Sequence, residues 1–292
     1  MRCAVLGDPI AHSLSPVLHR AAYDALGLDG WTYDAVRVPS GGLATFLGSI
    51  SGADGPDGPD GPDGTDGAGT WRGLSLTMPL KREVLDLVAA RSARVDLAHA
   101  ANTVVLDATG GATLDNTDLP GAAAAVRERY DGPVGAAVVL GAGATASSVG
   151  LALCDLGARE VRLLARSPER AADTVAAIEA HASRPQVSVG GLDEAPSGAD
   201  VLVSTVPAAA QAPDLVDRWL GDVPVVFEVL YDPWPTPLAD AAHAAGRVLV
   251  SGLDLLVHQA ALQVYAFTGL PGPLPVMRLA GAAALAARTS AG

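Results

Sequence analysis

This sequence predicts a two-domain α/β protein: a doubly wound Rossmann-type domain that binds a dinucleotide, an N-terminal α/β domain that holds the substrate, and a cleft between them. Three observations predict it. An apolar run at 137–140 leads straight into GAGATA at 141–146. From 134 to 250, apolar strand-like runs alternate with helical stretches, the pattern of a parallel sheet. The composition shifts near Asp118, which sets residues 118–252 apart from 1–117 and 253–292.

The elements follow in order. Residues 2–6 form a short apolar strand closed by Gly7-Asp8-Pro9. Ser15 as N-cap and Pro16 at the first helical position open a helix over 16–26. A strand at 31–36 and a helix at 39–50 come next, the latter with Leu43, Phe46, Leu47 and Ile50 at helical spacing. Residues 51–70 carry the acidic repeat DGPDGPDGPDGTDG, which has nothing apolar to bury and reads as a solvated, mobile loop. A strand at 71–76 ends at Thr77-Met78-Pro79. Helices at 81–90 and 96–100 precede a hairpin of 103–107 and 112–114 around Gly110-Gly111. A long helix over 118–130 leads to the glycine stretch.

Beyond it the strands are 134–140, 160–164, 186–189, 201–205, 223–228 and 247–250. Helices at 147–156, 168–182, 213–219 and 237–245 lie between them. A last helix over 253–268 stops at Gly269-Leu270-Pro271.

The chain has 292 residues and a net charge of −13, which disfavours a general nucleic-acid surface. An anionic substrate then needs a local cationic pocket. Cys3 and Cys154 are too few and too far apart for a disulfide framework or a zinc site, as in a reducing cytoplasm. The N-terminus lacks a signal-peptide core, and no apolar run is long enough to span a bilayer, so cytoplasmic localisation is expected and no membrane partner.

In the glycine stretch, Gly141 permits a tight turn, Gly143 lets a pyrophosphate approach the main chain, and Ala146 allows close helix–strand packing. Ala142, Ala144 and Thr145 complete the turn, and the following helix N-terminus offers N–H groups to phosphate. The second strand ends in Ala165-Arg166-Ser167-Pro168-Glu169-Arg170. An NAD-preferring domain commonly places an acid there, on the ribose hydroxyl. Here Arg166 and Arg170 put positive charge where a 2′-phosphate lies, and Ser167 adds a hydroxyl or a cap, so the cofactor expected is NADP(H).

Three polar clusters interrupt the apolar pattern of the first half: His12-Ser13-Leu14-Ser15-Pro16, Ser75-Leu76-Thr77-Met78-Pro79-Leu80-Lys81, and Asn102-Thr103 with Asn116-Thr117-Asp118. The second puts hydroxyls at the C-terminal end of a strand, where α/β sheets bind ligands, and then the chain's only lysine. As a first-turn helical residue Lys81 opposes the helix dipole, which disfavours a purely solvated role.

These motifs together resemble the shikimate dehydrogenase family. The resemblance rests on VLGDPIAHSLSPVLHRAAYDALGL, GLSLTMPLK, ANT, DNTDLPG, VLGAGATA, the strand-end ARS, YDPWPTPL and GLDLLVHQA, in that order over nearly the whole chain. It implies reversible NADPH-dependent reduction of 3-dehydroshikimate to shikimate. It implies that Lys81 and Asp118 are the catalytic pair, and that Ser13 and Ser15 bind the substrate carboxylate. Ser75, Thr77, Asn102, Tyr231 and Gln259 are implied as further substrate contacts. On the cofactor side it implies Gly141 to Thr145, Ala165, Arg166, Ser167, Arg170, Thr205, Val229 and Gly252.

Two positions depart from the family pattern: Ser75 often stands as Asn, and the clamp often begins Asn-Arg-Thr. The Asp-Gly-Pro insertion is not a family feature. The expected partners are the small-molecule substrate and the dinucleotide, with a homodimer as the candidate assembly. An NAD-dependent quinate/shikimate dehydrogenase is the alternative enzyme, against which Arg166 argues. A non-catalytic nucleotide sensor on the same fold is the alternative of another class, against which the pair Lys81 and Asp118 argues.

Overall fold

A computed structural model describes residues 1–51 and 70–291, so the expected loop at 51–70 lies, apart from its two end residues, outside the described residues. The chain forms two compact units. The first comprises Met1–Val95, Ala100–Thr117 and Ala260–Ala280. The second comprises Asp96–His99, Asp118–Gln259 and the residues from Gly281 on.

The first unit opens with β1 (Arg2–Gly7), α1 (Ser15–Ala25), β2 (Thr32–Arg37), α2 (Leu43–Ser51), β3 (Trp71–Leu76) and the single turn α3 (Leu80–Glu83). After α4 (Ala93–Ala98) come β4 (Thr103–Leu106) and β5 (Ala112–Asp115). The sheet order is β2-β1-β3-β4-β5. β1 pairs in parallel with β2 and β3, whereas β3, β4 and β5 pair antiparallel. Ala4, Leu6, Leu74, Leu76, Leu80, Val104 and Leu114 form the core of this layer.

Three boundaries differ from the expected ones for local reasons. Ser15 is the first helical residue and not the cap; Leu14 holds the cap position, and no side chain caps the helix. α2 starts at Leu43 because Gly41 takes φ +80° ahead of it. The Glu83 carboxylate then accepts the N–H groups of Gly41 and Leu43, so an acid from α3 closes the start of α2. The helix expected over 81–90 is only α3 followed by a 3₁₀ turn at Val84–Asp86.

The second unit contains α5 (Asp118–Arg129), β6 (Ala136–Leu140), α6 (Ala144–Asp155), β7 (Glu160–Leu164), α7 (Ala172–Glu179), β8 (Gln186–Gly190), β9 (Val201–Ser204), α8 (Pro213–Leu220), β10 (Val225–Glu228), α9 (Pro237–Ala244) and β11 (Val248–Val250). α10 (Gly252–Thr268) and α11 (Leu274–Ala291) complete the chain. The six strands are all parallel, in the order β11-β10-β9-β6-β7-β8. This is the doubly wound order, with β6 at the centre.

Both faces of this sheet are covered. Val139, Leu163, Val203 and Phe227 belong to one core, and Val138, Leu140, Leu164, Leu202 and Val226 to the other. Alternate residues of each strand thus meet different cores, which is why these strands read as unbroken apolar runs.

The expected first-domain span 253–292 is shared between the units. The start of α10 belongs to the second, and side chains show why. Asp254 accepts a hydrogen bond from Arg129 at 2.7 Å, and His258 pairs with Glu128 at 2.6 Å. Ser251 and Asp254 cap each other across the first turn, an amide-to-hydroxyl bond answered by an amide-to-carboxylate bond. The C-terminal helix α11 was not expected from the sequence. Among the described residues no helix is long and apolar enough to cross a membrane.

Candidate active site

In the first unit, the loops after β1 and β3 leave the same edge of the sheet, since the two strands are parallel neighbours. Main-chain bonds tie these loops together: the Asp8 amide donates to the Met78 carbonyl at 3.0 Å and the Thr77 amide to the Leu6 carbonyl at 2.9 Å. The loop after β1 carries Ser13 and leads into α1 at Ser15, whose amide donates to the Ser13 hydroxyl at 3.3 Å. The loop after β3 carries Thr77 and leads into α3, which carries Lys81. Leu76 N–H donates to the Asn102 carbonyl and Ala101 N–H to the Lys81 carbonyl, both at 2.8 Å. Thr77, Lys81 and Asn102 are therefore brought together by the backbone.

Asn102 is 2% exposed. Its carboxamide nitrogen donates to the Thr117 hydroxyl at 2.9 Å, and its oxygen accepts the Thr117 amide at 2.8 Å. Ser75 lies one layer deeper. Its hydroxyl accepts from Tyr33 at 2.6 Å and donates to the Gln263 carbonyl oxygen at 2.9 Å. Gln263 in turn donates to the Asn102 carbonyl and the Thr103 hydroxyl, each at 3.0 Å. Ser75 thus has its proton engaged inside the protein and braces the strand that carries Thr77. Gln263 was missed by the sequence reading; it sits one turn beyond Gln259, among apolar neighbours.

In the second unit, Asp118 opens α5 and is 5% exposed. Gly121 follows on the same helix face, three residues on. A Cβ on Gly121 would stand 2.9 Å from the Gln259 amide nitrogen, so α5 and α10 meet in close contact there. Gln259 is buried, and its side-chain nitrogen donates to the Leu256 carbonyl at 3.1 Å.

The glycine turn lies between β6 and α6. Gly141 has φ +103°, and a Cβ there would stand 2.3 Å from the Thr205 hydroxyl. Thr205 donates that hydroxyl to the Leu140 carbonyl at 2.7 Å and so closes the strand end. Gly143 is the N-cap of α6, extended and without any side-chain cap, and a Cβ on it would meet nothing within 4 Å. That open space above an uncapped helix start fits a phosphate group. α6 begins at Ala144 and not at 147, so Ala144 and Thr145 lie in its first turn.

A latch that the sequence reading missed fixes this turn. The buried Thr174 hydroxyl donates to the Ala142 carbonyl at 2.8 Å and accepts from the Ser147 hydroxyl at 3.1 Å. Hydroxyls in the otherwise small and apolar run of α6 were its only signal.

Ala165, Arg166 and Ser167 follow β7 directly, beside the end of β6. Arg166 and Arg170 are exposed, and Ala165 is buried. The Ser167 hydroxyl donates to the Glu169 carboxylate and caps no helix. That bond holds the Glu169 carboxyl below the usual range. Farther along, Gly252, the first residue of α10, packs against the segment after β10: a Cβ on it would stand 2.4 Å from the Leu230 carbonyl oxygen and 2.5 Å from that of Val229. Tyr231 belongs to this segment and hence to the second unit.

A six-stranded parallel sheet in doubly wound order, with an open glycine turn at the central strand, defines a dinucleotide-binding protein of the dehydrogenase class. Residues 5–58 match the model of the shikimate dehydrogenase substrate binding domain, and residues 252–279 match that of the shikimate 5′-dehydrogenase C-terminal domain. The ornithine cyclodeaminase/mu-crystallin family model matches residues 97–226, the stretch with the glycine turn. A shikimate dehydrogenase (NADP(+)) of Methanosarcina acetivorans is 34% identical over 94% of this chain and 95% of its own length. The chain belongs to the shikimate dehydrogenase family. The crystal structure of Mycobacterium tuberculosis shikimate dehydrogenase is 40% identical, with a TM-score of 0.81 over 97% of this chain and 99% of that one. The Thermus thermophilus enzyme, solved in complex with NADP(H) and shikimate, also has a TM-score of 0.81, at 29% identity and with the same coverage.

Proposed function

We propose that this chain catalyses the reversible NADPH-dependent reduction of 3-dehydroshikimate to shikimate. The observation that carries the reading is a short path through the first unit. The carbonyl of Lys81, the only lysine, accepts the amide of Ala101; the next residue, Asn102, grips Thr117; and Asp118 is next in the chain. An ammonium and a carboxylate are thus attached to one hydrogen-bonded backbone frame.

The residues present fit a dinucleotide. The Gly141–Gly143 turn and the first turn of α6 would hold the pyrophosphate, and Arg166 with Arg170 the 2′-phosphate. Val229, Thr205 and Gly252 would line the side nearest the nicotinamide. When bound, the cofactor supplies the hydride. Lys81 gives a proton to the alkoxide oxygen that develops on the substrate and takes it back in oxidation. Asp118, the carboxylate of the proposed pair, accepts from a ring hydroxyl of the substrate and orients it. Ser13 and Ser15 bind the substrate carboxylate, with Thr77, Asn102, Tyr231 and Gln259 as further contacts. Ser75 supports them from beneath. A homodimer is the proposed assembly and the cytoplasm the proposed compartment.

The test is oxidation of shikimate by NADP⁺, followed at the absorbance band of the reduced pyridine and repeated with quinate and with NAD⁺. Turnover of shikimate with NADP⁺ above the other three combinations is expected. Preference for NAD⁺ or for quinate overturns the cofactor or the substrate assignment, and tight binding without turnover overturns the enzyme.

A further inference from the structure

Glu228 closes the apolar strand β10 as a fully buried carboxylate. Its surroundings are a set of donors drawn from three separate places. Leu230 N–H donates to Oε1 at 3.1 Å, just after the strand ends. The Thr236 hydroxyl donates to Oε2 at 2.9 Å, at the cap of α9. The Gln211 side-chain nitrogen donates to the same oxygen at 2.7 Å. Gln211 is buried too; its carbonyl oxygen accepts the Leu238 amide at 3.0 Å, and its nitrogen also reaches the Ser204 hydroxyl at 3.3 Å. Thr236 caps α9 by accepting the Ala239 amide at 3.2 Å.

Burial pushes the Glu228 carboxyl above the usual carboxylate range, opposed by the hydrogen bonds it accepts; each of the groups named above gives it a hydrogen. Taking such a group out of water is costly, and the pairing returns at best a modest net gain in stability. Its geometric effect is larger. One side chain holds both ends of the segment from Val229 to Pro235, while Gly252 presses on the carbonyls of Val229 and Leu230 from the other side. That segment carries Val229 and Tyr231.

We propose that Glu228 is a positioning residue for the nicotinamide end of the cofactor site: it fixes the 229–236 segment through Leu230 and Thr236, with Gln211 as its brace. This rests on the reading given above for Val229, with Tyr231 as a substrate contact on the same segment. The adenosine end of the cofactor, at the glycine turn and Arg166, lies on other strands and is outside the clamp.

The test compares NADP⁺ with 2′,5′-ADP, a probe of the adenosine end alone, by calorimetric titration of the full chain. In Glu228→Gln an amide donor faces the Gln211 donor. NADP⁺ binding or kcat with shikimate should fall about tenfold, the cost of one charged hydrogen bond. Binding of 2′,5′-ADP should stay within about twofold. Glu228→Asp, which keeps the acceptors, should recover part of the loss. Equal weakening of both nucleotides means a merely structural role and overturns the proposal, as does an unchanged variant. Thr236→Val removes one arm of the clamp and decides the matter by the same criteria should Glu228→Gln not fold. A wild-type protein that binds NADP⁺ without oxidising shikimate sinks the functional reading, and the ratio of NADP⁺ to 2′,5′-ADP affinities still decides the clamp.

Discussion

Gly7 lies directly against Thr77: a Cβ on Gly7 would stand 2.3 Å from the Thr77 methyl carbon and 2.8 Å from the Met78 carbonyl oxygen. The first is the methyl of a short β-branched side chain and the second is main chain, so only glycine lets β1 approach the loop that carries Thr77 and leads to Lys81. Gly7→Ala should cost about 1–3 kcal/mol of stability through overpacking. It should also raise the KM for shikimate by about tenfold or more, because displacement of an orienting group by an ångström is expensive. NADP⁺ affinity, set in the other unit, should not change. Thermal melts with steady-state kinetics check this, and an unchanged KM would show that Thr77 is not a substrate contact.

Lys81→Ala removes the proposed proton donor while leaving its main-chain bond to Ala101 intact. We expect kcat to fall roughly a hundred- to ten-thousand-fold, with KM for shikimate little changed. Melting temperature should match the wild type. Retained kcat would remove Lys81 from the chemistry.

The sequence shows the second unit best, for a physical reason. Strands buried on both faces leave unbroken apolar runs, and Gly141 occupies a place where a Cβ would strike the Thr205 hydroxyl. The first unit is less legible. Its sheet mixes parallel and antiparallel pairs, and the strand–helix alternation from β1 to α3 gives way to the β4–β5 hairpin. α11 went unseen because alanine is abundant throughout, which blunts any helix signal drawn from it.

Within the candidate site, motifs show residues that are near one another in the chain, and pairs joined across it leave no such mark. Ser75 and Gln263 are 188 positions apart, and Gln211 and Glu228 are on separate elements. Spacing within a motif cannot report such pairs. Glu228 did leave a trace: a lone acid directly after Val225-Val226-Phe227, where a buried strand should remain apolar.

Arg166→Ala tests the 2′-phosphate assignment. The guanidinium is exposed, so its phosphate contact competes with water and salt. We expect kcat/KM for NADPH to fall by about tenfold, with NADH nearly unaffected. The loss should shrink as ionic strength rises. A parallel fall for both nucleotides would place Arg166 elsewhere than at the distinguishing phosphate.

His19 predicts how stability depends on pH. It is fully buried, stacked on Tyr33 with ring centroids 3.9 Å apart and edge-on to Tyr23 at 5.9 Å. Burial pushes its pKa down to about 3, and the Gln263 side chain beside it offsets only part of that. The other rings against it are Tyr23, Tyr33 and Phe267, none of which carries a charge in acid. The unfolded chain takes up a proton on this histidine below about pH 6.5, whereas the folded chain does not until near its depressed value. The unfolded state therefore binds more protons in that window, and stability falls as pH falls, by up to about 1.4 kcal/mol per unit from this group. His19→Phe keeps the stacked ring and removes the titration. Urea unfolding between pH 7 and pH 4 should show a shallower loss of stability in the variant than in the wild type, with the curves diverging as pH drops. Parallel curves would mean that His19 is protonated in the folded protein.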